Sequence, residues 1–203
     1  MAEENSREDL SQWIHSREQT NILKEMRKTL KLPAVPKRIE GFDISQISGK
    51  YSVASMVSFI NGVPDKNQYR KYHLKTLKGA IDDFEAIREV IARRYTRVLN
   101  ENQEFPDLIL VDGGKGQVSA AREILESLDI SIPVIGLAKK NEEIVSLENT
   151  LIRLARTSSV LRILVSVRDE AHRFANSFNK SLREKTVGFS FLEKAPGIGK
   201  IRS

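Results

Sequence analysis

Cysteine is absent from the 203 residues, and tryptophan occurs once. Without thiols the chain can form neither disulfides nor thiolate zinc sites. No apolar run approaches the roughly 20 residues that a membrane-spanning helix needs, so no membrane partner is expected. The polar opening MAEENSRED lacks the apolar stretch of a secretory signal, and the expected location is cytoplasmic. Proline is sparse, with six residues. Two of them stand in LPAVPKR, where they break a helical pattern and mark a boundary. Internal repeats and low-complexity tracts are also missing, which excludes solenoids and flexible linkers.

What is present is a globular composition. The chain is 40% hydrophobic, enough for one sizeable core and a small appendage. The net charge of +6 is unevenly spread. Residues 66–81 hold Lys66, Arg70, Lys71, Lys75 and Lys78 with no acid, and residues 150–168 hold Arg153, Arg156, Arg162 and Arg168 with no acid. Such clusters suit a polyanion, although a solvated face is the more ordinary explanation of a charge run alone.

Apolar spacings of three and four predict a helix over residues 8–31, through Leu10, Trp13, Ile14, Ile22, Leu23, Met26 and Leu30. Three strand-like runs follow: IEGFDIS (39–45), SVASMVSFI (52–60), which ends on the turn dipeptide Asn61-Gly62, and YRKYHLKTL (69–77). A helix is predicted over 82–99, with Phe84, Ile87, Val90, Ile91 and Tyr95 on its apolar side. LILVD (108–112) is a fourth strand, followed by a helix over 116–128, and VIGLA (134–138) is a fifth. A hairpin around Glu148-Asn149 and a long helix over 159–185 complete the series. Three sequential strands and two later ones alternating with helices predict an α/β fold, a mixed five-stranded sheet flanked by helices, in the element order of ribonuclease H-like folds. The division expected is an N-terminal helical arm and linker (1–37), a catalytic domain (38–188) and a short terminal segment (189–203). In that last segment PGIG looks like the start of a helix-hairpin-helix.

The chemistry concentrates in LILVDGGKGQ. A buried strand ends on Asp112, and Gly113, Gly114 and Gly116 surround Lys115. If the strands of Asp43 and Asp112 are neighbours, two carboxylates lie side by side, and their repulsion is relieved by a divalent cation such as Mg²⁺ or Mn²⁺. The glycines would let a phosphodiester approach, and the helix start would offer N–H groups to it. The plain alternative is a strand-to-helix turn with an aspartate cap. His172, in RDEAHRFA, is placed to join the two acids as a metal ligand, a water-orienting group or a proton donor, or to serve as a structural histidine. Asp83 is a further catalytic candidate or a helix N-cap. Arg70, Lys71, Lys75, Lys115, Arg153 and Arg156 are the candidate DNA contacts.

These residues resemble the C-terminal RNase H-like endonuclease domain of the bacterial excinuclease subunit UvrC. IEGFDIS with VAS downstream, YRKY, DDFEAIREVIARRY, PDLILVDGGKGQ, PVIGLAKK, RDEAHRFA and PGIG stand in that family's order over about residues 36–200. The resemblance implies a catalytic set of Asp43, Asp112 and His172, with an acid also at Asp83. It implies metal-dependent incision of the damaged strand of double-stranded DNA on the 5′ side of a lesion, with UvrB and, upstream, UvrA as partners. Gln46 stands where the family usually has histidine, and Gly41 where it usually has cysteine. A DNA-binding scaffold without catalysis, and a junction-resolving or RNA-cleaving relative on the same fold, are the alternative readings. No sequence feature sets the oligomeric state.

Overall fold

RIEGFDISQI forms the long strand β1, Arg38–Ile47, in the computed structural model, which describes residues 17–47, 51–74, 83–138 and 142–193. Before it, residues 17–29 form helix α1. β2, Tyr51–Ile60, returns antiparallel along the whole of β1, from Arg38↔Ile60 to Ile47↔Tyr51. Asn61 and Gly62 then take positive φ, 51° and 81°, the paired left-handed conformation that a two-residue hairpin needs. This turn lays β3, Val63–Pro64, on the end of β2. A single 3-10 turn, Lys66–Gln68, leads to β4, Arg70–His73, which pairs with the other end of β2.

Helix α2, Asp83–Asn100, carries the chain to β5, Leu108–Val111, which joins β1 in parallel. α3, Lys115–Ser127, crosses to β6, Val134–Ala138, parallel to β5. The hairpin β7, Glu143–Val145, and β8, Leu151–Ile152, extends the sheet antiparallel. α4, Ser159–Glu193, closes the fold. The strand order is β3-β2-β1-β5-β6-β7-β8, with β4 also on β2. Four of the five expected strands, β2, β1, β5 and β6, form its centre and the fifth, β4, lies on the edge of β2, while β3, β7 and β8 enlarge the sheet beyond five.

Strand alternation sorts the side chains into two layers. Ile39, Val57, Leu108, Leu110 and Ile135 face α1 and α4, where Leu23, Met26, Leu30, Leu161, Leu164 and Val167 bury against them. Phe42, Met56, Ile109 and Val111 face α2 and α3, against Ile87, Val90, Ile91, Tyr95 and Val118. The N-terminal helix is thus part of one packed layer. Phe84 departs from the expected apolar face of its helix: it is 41% exposed, because it stands in the first turn, ahead of the buried stripe. The structure runs α4 through Glu193, past the expected boundary at 188. Trp13, Lys75, Lys78 and the PGIG segment lie outside the described residues. No helix among the described residues is long and apolar enough to cross a membrane.

Candidate active site

The alternation that puts Phe42 in the α2–α3 layer turns Asp43 to the other side, toward α4, together with Gly41. On β5 the same rule places Leu108 and Leu110 under α4, so Asp112, the next residue in that phase, leaves the strand end on the face of Asp43. The amide of Asp112 donates to the carbonyl of Phe42 at 2.9 Å, extending the parallel ladder by one rung. Two acids on adjacent strands are therefore brought together by register alone.

α4 supplies the third group. Gly41 allows its close approach: a Cβ at Gly41 would stand 2.4 Å from Val167 Cγ1. One turn on, the buried Ser55 hydroxyl donates to the Ala171 carbonyl at 2.8 Å. His172 follows, with Nδ1 3.4 Å from Asp43 Oδ2. One ligand atom from each of Asp43, Asp112 and His172 lies within 4.8 Å of the others, and among the described residues no other trio of His, Asp or Glu does so. Asp43 is nearly sealed, with a side chain 3% exposed, while the imidazole is 52% exposed. The trio is thus closed toward the sheet and open toward solvent. Asp83, exposed at the start of α2, is not brought into this group.

This donor set fits a hard divalent cation. Two carboxylates supply anionic oxygens, and an imidazole is a ligand that Mn²⁺ accepts and that Mg²⁺ tolerates less well.

The glycines of DGGKG divide by role. A side chain at Gly114 would meet nothing within 4 Å, so this position opens onto free space as a phosphodiester approach requires. Gly116 does not serve that purpose: its Cβ would stand 2.3 Å from the Phe84 ring, which lies across it. Gly113 is covered by the Gln117 side chain, whose Oε1 accepts from the Gly114 amide at 3.1 Å in half of a capping box. All three keep ordinary φ values, so the loop is shaped by space and not by left-handed backbone.

The basic residues separate as well. Lys115, exposed, opens α3 beside Gly114. In register, Asp43 stands opposite Ser55, and Ser55 opposite Lys71, so Lys71 shares the face of Asp43 two strands away. Its amine sits 4.4 Å from the centre of the Phe174 ring. Arg70 points to the other face and donates to the carbonyls of Asn67 and Tyr69. Arg153 stands at the outer edge on the Ala138 end of the sheet, held by Glu143. Arg156 is exposed ahead of α4. Arg162 is ten residues before His172 on α4, about 15 Å along the helix.

Three contacts around His172 were not visible in the sequence. Ser55 reads as an ordinary polar interruption of an apolar strand. The Tyr69 hydroxyl donates to Glu170 at 3.0 Å, and Tyr69 meets Phe174 edge-on at 5.1 Å. A hairpin register between β1 and β2 could have placed Ser55 beside Asp43. Nothing local could have paired Tyr69 with Glu170.

A family model, the UvrC RNase H endonuclease domain, matches residues 27–176. The UvrABC system protein C of Treponema denticola is 48% identical over 204 residues, covering 100% of this chain and 31% of its own length. The same-named protein of Methanococcoides burtonii is 44% identical over 209 residues, covering 100% and 34%. The chain thus spans about a third of the length of the curated relatives it matches. Among solved structures, endonuclease V of Ciona intestinalis in complex with DNA aligns with a TM-score of 0.38 at 17% identity, covering 65% of this chain and 58% of that one. On the family match and on the extent of identity, the chain belongs to the UvrC RNase H endonuclease domain family.

Proposed function

We propose that this chain hydrolyses DNA phosphodiester bonds with a divalent cation, Mg²⁺ or Mn²⁺, held by Asp43, Asp112 and His172. In the longer protein the reaction is incision of the damaged strand on the 5′ side of a lesion, with UvrB, and UvrA upstream, as partners in the cytoplasm. The observation that supports this most is the convergence of two carboxylates and an imidazole within 4.8 Å, at a rim that opens to solvent.

Phosphodiesters hydrolyse so slowly unaided that catalysis must supply on the order of 20 kcal/mol. A divalent cation bound here would act as a Lewis acid on the phosphoryl oxygens and acidify water. Asp43 and Asp112 hold it, and their strands, fixed by the β1–β5 ladder, keep the two carboxylates from moving apart. The half-exposed imidazole of His172 can reach both the acids and a substrate above them. With one ring nitrogen on the cation, the other would orient the entering water or donate to the leaving oxygen, steps that contribute about 10²–10⁴-fold. Gly114 leaves room for the backbone of the nucleic acid. Lys71 and Lys115 would carry its phosphates past the site, Arg153 and Arg156 would meet it farther along, and Arg70, on the opposite face, would contact it only away from the trio. Asp83 would act from the start of α2 and not as a member of the trio.

The deciding assay is nicking of supercoiled plasmid by this chain with Mn²⁺, and of a lesion-bearing duplex by the longer protein with UvrA and UvrB. The expected result is metal-dependent nicking that Asp43→Ala abolishes and His172→Ala reduces at least a hundredfold. A wild type that binds DNA and never nicks it under either condition leaves a DNA-binding scaffold as the correct reading.

A further inference from the structure

We propose that Ser55 is a positioning residue for His172, acting through the backbone of α4. This rests on the nuclease reading of the site, and it names a residue on which that reading has so far placed no demand.

Ser55 is fully buried, and it stands directly across the β1–β2 ladder from Asp43. Its hydroxyl donates to the carbonyl of Ala171, the residue that precedes His172. One buried side chain therefore connects the strand pair bearing Asp43 to the helix turn bearing the imidazole. The carbonyl has a second lone pair, so it accepts this bond in addition to its place in the helix ladder.

Apart from the partly buried Tyr69–Glu170 bond on the flank of α4, the rest of the contact between α4 and the sheet beside Ala171 is apolar. Val167 rests over Gly41, and Ala171 is itself buried. Small apolar contacts set how closely a helix packs, but they are weakly directional along its axis. A helix that slides by one residue moves about 1.5 Å and turns about 100°. Such a shift would carry Nδ1 away from its place 3.4 Å from Asp43 Oδ2. The imidazole is half exposed, so side-chain packing encloses it on one side only and its place depends on where α4 carries it. The Ser55 bond is directional and shielded from water, and it pins the helix one residue from the group that must be placed.

The mere satisfaction of a buried hydroxyl would produce the same bond, so the test has to separate placement from stability. Ser55→Ala removes the donor and leaves the Ala171 carbonyl in its helix, so the fold should survive, as circular dichroism and a thermal melt will show. The expected result is a nicking rate constant lowered about tenfold, the weight of one ordinary hydrogen bond, with unchanged affinity for DNA. In a His172→Ala background the same substitution should cost nothing further, because its effect passes through the imidazole. Ser55→Thr, which keeps a hydroxyl, should recover most of the loss. An independent readout uses metal-free protein with isotope-labelled histidine. The His172 imidazole signal should shift or broaden in Ser55→Ala while that of His73 stays in place. Full activity of Ser55→Ala, losses that multiply in the double variant, or an unmoved His172 signal would each overturn the proposal. If the wild type fails to nick at all, the nuclease reading fails, and the histidine signal still decides whether Ser55 positions the side chain.

Discussion

The backbone amide of Asp112 is hydrogen-bonded to the carbonyl of Phe42 at 2.9 Å, one residue before Asp43. Adjacent parallel strands lie about 4.8 Å apart, so this rung leaves no room for the two acids to avoid each other. Their mutual repulsion is a cost of the fold that a cation removes.

Binding of Mn²⁺ should therefore stabilise the protein. At a hundredfold excess over the dissociation constant, linkage gives about 2.7 kcal/mol, or a rise in Tm of roughly 5–10 °C for a chain of this size. Asp43→Asn should abolish that rise. In chelator the same variant should melt at or above the wild type, because one charge of the pair is gone. A wild-type Tm indifferent to Mn²⁺ would count against the metal site.

Much of this site was legible because strand alternation is a short-range device, while the adjacency of β1 and β5 followed only from the element order. Alternation in IEGFDIS assigns Asp43 a face, and LILVD assigns Asp112 the end of a buried strand. What sequence pattern could not show is pairing between distant elements. No motif singles out Glu40 or Arg94, yet the two pair in the core, 0% and 1% exposed. Gly41 reads as a mere departure from the family's usual cysteine, yet it is the place where Val167 comes too close for any Cβ. The expected third strand over 69–77 is regular only at Arg70–His73 among the described residues, since just four residues find partners on β2.

The buried network around Glu40 makes a second prediction. Its carboxylate accepts from Arg94 at 2.7 and 3.2 Å, from the Tyr95 hydroxyl at 3.0 Å and from Arg38 at 3.1 Å. Glu40→Gln leaves the buried Arg94 guanidinium without its counter-charge, a loss of about 3–5 kcal/mol that a urea titration would read. Glu40 faces α2 and Asp43 faces α4, so nicking per folded molecule should be unchanged. A loss below about 1 kcal/mol would mean that water or Gln103, which also accepts from Arg94, screens the pair.

Glu170 predicts a specific response to acid. The hydrogen bond from Arg173 holds its pKa below the usual 4.5, against the opposing effect of burial, and the Tyr69 hydroxyl adds a second bond. A depressed carboxylate pKa contributes stability that is complete above the unfolded value and is lost as pH falls through the folded one. Glu170→Gln should therefore lower Tm at neutral pH, and the difference from wild type should shrink steadily below about pH 4.5. A gap that stays constant down to pH 3 would assign the effect to shape and not to charge.

Lys71 carries the clearest prediction about DNA. Its side chain shares the face of Asp43, on the row that runs from Asp43 through Ser55 to Lys71, about 10 Å from the carboxylate strand at ordinary strand spacing. Its amine rests on the Phe174 ring, and burial there lowers its pKa. On that face the amine stands where a phosphate oxygen of DNA passing Asp43 could form a charge-assisted hydrogen bond with it. Each phosphate neutralised contributes about 0.9 to the slope of log affinity against log salt for duplex DNA. Lys71→Ala should therefore flatten the slope by about one, equally for all sequences, while Lys71→Arg keeps it. Lys28→Ala, on the exposed side of α1, should leave it unchanged. Equal slopes for wild type and Lys71→Ala in a fluorescence-anisotropy titration would remove β4 from the DNA surface. Phosphate contacts would then fall to Lys115 and the arginines beyond the hairpin.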